Sequence, residues 1–264
     1  WLVGRDGKVI AREDWDGGTK NYRLVAKQGG AWKSLIEGKE DQAPYSMLGA
    51  APEGDGVIVA ADIDGQDFRS FHKVDWTGKL SPPLYGSDIR EVGGVIVDDY
   101  KTVIGAYYDG LKPSYAFFDA ERSRVIAALA AQFPEDSITI ASRTDDLSKV
   151  IVSIAGGKTA PAYFLYDFGR KSFGKLMPSY LRIADADIQP VDIVEYKARD
   201  GLAIPALVTR PKSVAPAEKL PLIVYPHGGP EAHDDLGVVH AKHGRLQTAA
   251  RHFTTTIKLD PSYQ

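Results

Sequence analysis

A repeat of about 47 residues constrains this chain more than any other feature. Four segments align: "KVIAREDWDGGTKNYRLVAKQGGAWKSL" from Lys8, "GVIVAADIDGQDFRSFHKVDWTGKLSPPL" from Gly56, "KTVIGAYYDGLKPSYAFFDAERSRVIA" from Lys101 and "KVIVSIAGGKTAPAYFLYDFGRKSFGKL" from Lys149. Each runs from an alternating apolar strand through a Gly-containing turn to an aromatic-led strand. A second polar turn and a third strand follow. The turns are Asp16-Gly17, Asp64-Gly65, Asp109-Gly110 and Gly156-Gly157, pairs that supply the positive φ angles of tight hairpins. The aromatics that open the second strands, Tyr22, Phe68, Tyr115 and Tyr163, lie 46, 47 and 48 residues apart. A unit of this length, built from three or four short antiparallel strands, predicts a β-propeller blade; a helical solenoid would show 3.6-residue periodicity instead. A long β-sandwich with evenly spaced hairpins is the competing arrangement.

Four such blades fill residues 1 to about 187. Because blades bury their faces against neighbours, further blades before Trp1 are expected. Trp1-Leu2-Val3 moreover opens inside what looks like a strand, as a shortened piece would. Trp32, Trp76, Phe117, Phe118 and Phe164 are expected in the core between blades. Apolar residues make up 44% of the chain and charged residues 25%, a balance that supports a buried core in a soluble protein. A net charge of −3 argues against nucleic acid as a partner, since that grip needs a clustered basic face. No apolar run approaches a membrane span, so no membrane partner is expected either. Cysteine is absent, which removes disulfides, thiolate zinc sites and a thiol nucleophile. Cytoplasm and periplasm both stay open.

The pattern changes near Gln189-Pro190. Ile193–Ala198 and Leu202–Thr209 predict two strands around an Arg199-Asp200-Gly201 turn, and a Pro/Ala/Lys loop leads to a short buried strand over 220–225. That strand stops at Pro226-His227-Gly228-Gly229-Pro230. An antiparallel hairpin followed by an apolar strand with a glycine-rich exit is how α/β-hydrolase sheets begin. Paired glycines let the backbone approach a substrate and turn N–H groups toward a developing oxyanion. The fold class is therefore mainly β: a partial β-propeller of about four blades (1–187), then the opening strands of an α/β-hydrolase domain with an atypical helical tail (188–264).

Blades of this length, then "YKARDGLAIPALVTRP", then "LPLIVYPHGGP", resemble the prolyl oligopeptidase family of serine peptidases, most of all its acylaminoacyl-peptidase and dipeptidyl-peptidase-like members. The resemblance runs from residue 1 to about 237. It implies a propeller that caps a hydrolase domain and admits short peptides, and it puts His227, Gly228 and Gly229 at the oxyanion hole. The expected substrates of the complete protein are short or N-acylated peptides, cleaved through an acyl-enzyme.

The serine, aspartate and histidine of such a triad are not found here. No serine has glycine two residues before it, so the Gly-x-Ser-x-Gly elbow is missing. The family's order places all three groups beyond the His-Gly-Gly-Pro strand, and His227 comes too early to be the base. The chain is thus expected to be incomplete and inactive as it stands. No cofactor is expected, because phosphate-binding glycine fingerprints are absent. His233, His240, His243 and His252 are expected to be solvated, with no rigid further ligand to make a metal site.

Two readings of the tail stay open. In one, Arg245–His252 is a helix and Phe253–Leu259 the next strand. In the other, residues 236–264 resemble one tetratricopeptide repeat, helical through Ile257. With that tail, the rival function is a non-catalytic propeller scaffold that binds peptides or proteins.

Overall fold

The computed structural model describes residues 1–39, 43–61, 68–86, 92–213, 215 and 219–225. Asp64-Gly65 and the tail beyond 225 lie outside these. Four antiparallel meanders follow one another. The first sheet holds β1 (Leu2–Val3), β2 (Val9–Asp16), β3 (Asn21–Gln28) and β4 (Ala31–Lys39). The second holds β5 (Tyr45–Ala50), β6 (Gly56–Ala61) and β7 (Ser70–Asp75), and the third β8 (Val92–Val97), β9 (Val103–Tyr108) and β10 (Ser114–Phe117). The fourth holds β11 (Asp136–Arg143), β12 (Lys149–Gly156), β13 (Ala162–Asp167) and β14 (Ser172–Pro178). In each sheet neighbours in sequence are neighbours in space, the arrangement of a propeller blade. By internal contacts the chain parts into two compact units, Trp1–Asp109 with Ser114–Ala128, and Gly110–Pro113 with Leu129–Gln264.

Within the first unit the core explains the sequence of β6. "GVIVAA" is apolar without alternation, and every one of its residues is buried. Val57 and Val59 pack with Leu2, Ala11, Tyr22 and Leu24 of the first sheet. Ile58 and Ala60 turn the other way, against Val92, Val103 and Ala106 of the third. A strand covered on both faces has no polar side to show, hence the continuous apolar run. In β12 the buried Val150, Val152 and Ile154 alternate with the more exposed Lys149, Ile151 and Ser153.

Specific polar ties join the sheets of this unit. Both carboxylate oxygens of Glu13 accept the Met47 N–H at 3.1 Å, and Glu13 Oε1 also accepts the Tyr22 hydroxyl at 3.0 Å. Burial and the neighbouring Glu13 charge raise the Tyr22 pKa far above its ordinary value, so the phenol stays a donor. The Lys101 carbonyl accepts the Ala50 N–H at 2.8 Å, and only glycine fits beside it, since a Cβ on Gly49 would lie 2.4 Å from that oxygen.

The sequence-based expectations need four corrections. The third repeat was expected to end in a strand, but α1 (Ala120–Gln132) is a helix. Asp119 caps it, its Oδ1 accepting the N–H groups of Glu121 (2.9 Å) and Arg122 (3.1 Å), and the Ala-rich segment favours helix while burying Ile126 and Leu129. The second repeat's third strand shrinks to isolated bridges, Val74 with Leu80 and Phe71 with Tyr85, because Pro82 and Pro83 lack ladder donors. Phe68 precedes β7 rather than opening it. The aromatic that takes the second position of its strand, as Tyr22 does in β3, is Phe71. Lastly, Trp32 and Phe118 are about two-fifths exposed, whereas Phe117 is buried, Trp76 packs on the first core and Phe164 stacks on Phe173 at 5.2 Å.

Aspartates hold the turns. Carboxylates of Asp6, Asp16, Asp75, Asp98 and Asp146 each accept a main-chain N–H two residues on, at 2.8 to 3.0 Å. In the β2–β3 hairpin Lys20, not Gly17, takes the positive φ of 61°.

Candidate functional site

The region that should lead to a catalytic centre begins as expected. β15 (Val191–Lys197) and β16 (Ala203–Thr209) form an antiparallel hairpin in register from Val191↔Thr209 to Lys197↔Ala203. Its turn closes through Ala198 N–H to the Leu202 carbonyl (2.8 Å) and Gly201 N–H to the Ala198 carbonyl (3.0 Å). Gly201 supplies a φ of 89°, and Asp200 Oδ1 accepts the Leu202 N–H at 3.0 Å. Beyond the hairpin, Gln189 Oε1 accepts the Lys212 N–H at 2.7 Å and pins the returning chain beside the start of β15.

The next expected element is not formed. Residues 220–225 are described but are not a strand, and Leu222 and Val224 are 82% and 67% exposed. The physical reason is the absence of strand partners: among the described residues the last sheet contains β15 and β16 alone. Ile193, Tyr196 and Leu202 of that hairpin are likewise more than half exposed. An apolar strand normally buried on both faces cannot form where neither face is covered. His227, Gly228 and Gly229, the residues expected at an oxyanion hole, lie outside the described residues, as do the four tail histidines.

Elsewhere the described residues offer weaker chemistry. Ser70 Oγ lies 2.8 Å from His72 Nε2, a pairing that the Ser-x-His spacing on β7 could have signalled. Both residues are buried, and His72 Nδ1 faces the Ser81 carbonyl at 2.9 Å. A carbonyl can only accept, so Nδ1 is the donor in that bond. A buried pair whose imidazole is braced by a carbonyl ties a loop to its sheet. Between the first and second sheets a cleft of about 330 Å³ is lined by Ile10, Lys27, Ala50 and Trp76 among others, without a nucleophile or an acid–base pair. Among the described residues there is no group of three His, Asp or Glu side chains placed to hold a metal ion, and no helix long and apolar enough to cross a membrane.

No family model matches the chain. A curated relative, dipeptidyl aminopeptidase BIII of Pseudoxanthomonas mexicana, is 27% identical over 247 residues, which cover 87% of this chain and 34% of that protein. Among solved structures, puromycin hydrolase superposes with a TM-score of 0.51 at 19% identity, covering 83% of this chain and 35% of that one. Prolyl oligopeptidase B from Galerina marginata gives 0.52 at 14% identity, covering 81% of this chain and 31% of that one. The chain thus spans about a third of the length of each protein it resembles. The meander blades and the hairpin that follows them thus share the fold of the first third of these peptidases, and in sequence the chain is similar to a dipeptidyl aminopeptidase.

Proposed function

We propose that this chain supplies the propeller (1–187) and the opening strands of the hydrolase domain (188–264) of a serine peptidase that cleaves short or N-acylated peptides. One observation carries the reading: the match to a dipeptidyl aminopeptidase covers 87% of the chain, too much to be confined to the blades before residue 188. A binding scaffold that had borrowed only the propeller would not need the hairpin. In the complete protein a serine outside this sequence attacks the scissile carbonyl, and the acyl-enzyme is then hydrolysed. His227, Gly228 and Gly229 contribute donors to the oxyanion formed in each step. Such donors stabilise charge that exists only in the transition state, so they act on the rate rather than on substrate affinity.

Labelling with a fluorophosphonate probe, which reacts with activated serines, tests this reading. The purified 264-residue chain is expected to stay unlabelled and the natural gene product to label. A labelled 264-residue chain would place the nucleophile within this sequence. A natural product that is stable, folded and unlabelled would remove the peptidase reading.

A further inference from the structure

We draw no further inference here: the strongest candidate, the exposed Trp1–Arg12–Trp32 patch on the first sheet, in which the guanidinium lies 5.1 and 5.4 Å from the two ring centroids, is an unpartnered surface, and nothing in the structure shows what covers it.

Discussion

Glu13 ties the first sheet to the second through the Met47 N–H and also accepts the Tyr22 hydroxyl of its own sheet. Met47 N–H donates to both of its oxygens and Tyr22, wholly buried, donates its hydroxyl to one. Glu13→Ala would leave two donors unpaired, one of them on a buried ring. The expected cost is roughly 1–3 kcal/mol, the usual penalty for stranding a donor away from water. Tyr22→Phe removes only one bond and should cost less, about 1 kcal/mol. Urea unfolding of the three proteins checks the ranking. Equal midpoints for Glu13→Ala and the parent would show that the carboxylate is dispensable.

At the scale of elements, turns and caps decide what the repeat left open. Asp6, Asp16, Asp75, Asp98 and Asp146 are shifted in one direction, downward. The Ser148 N–H holds Asp146 down to about 2, the Thr77 hydroxyl lowers Asp75 and the Thr19 hydroxyl lowers Asp16. For Asp98 burial pushes upward, but the Thr102 and Tyr100 N–H groups and the Arg5 charge outweigh it, so the net shift is also down. A carboxylate with a lowered folded pKa binds its proton less readily folded than unfolded. Its stabilisation is therefore complete above the ordinary value of 3.8 and is lost as pH falls through the lowered one. Melting temperature should hold steady down to the ordinary value of 3.8 and drop from there toward pH 2. Thermal melts across this range that show no drop would contradict the role given to the turns. The cap of α1 is tested separately: Asp119→Ala should cost about 1 kcal/mol, and a helical signal and unfolding midpoint equal to the parent's would deny that Asp119 starts the helix.

These elements also show what could be read from the residues. The strands around Tyr22 and Tyr163 were legible because Gly-containing turns and apolar alternation both point to hairpins there, and the β15–β16 hairpin was legible for the same reason. β5, β8 and β11 escaped notice because each blade's first strand precedes the aligned segment, in stretches that vary from one repeat to the next. α1 was hidden by the repeat itself. Alignment to three strand-bearing segments made "ERSR" a charged loop before a third strand, although Asp119 and the run of alanines favour a capped helix. Phe68 failed similarly: spacing alone chose it, while register chooses Phe71. Residues 220–225 have every local property of a strand and still do not form one, because a parallel strand depends on neighbours that local sequence does not contain. His227, Gly228 and Gly229 were legible as a motif only, since an oxyanion hole is defined by where its N–H groups point.

For the molecule as a whole, the sheets and the hairpin differ in how complete they are. β6 is buried on both faces, each face packing into a separate hydrophobic cluster. The last hairpin and the apolar run after it present Ile193, Tyr196, Leu202, Leu222 and Val224 to solvent. The sheets around β6 thus have their packing partners at hand, whereas the β15–β16 hairpin and residues 220–225 leave apolar side chains exposed. This agrees with a chain that spans about a third of the proteins it resembles.

The intact mass of the natural gene product, taken from its source with an antibody raised against residues 1–187, tests this most directly. Its expected mass lies tens of kilodaltons above the 28.7 kDa of these 264 residues, enough for the strands, elbow serine and triad of a complete hydrolase domain. A mass of 28.7 kDa would contradict the proposal, because a protein of that size holds no Gly-x-Ser-x-Gly serine and could not carry out the proposed acyl transfer.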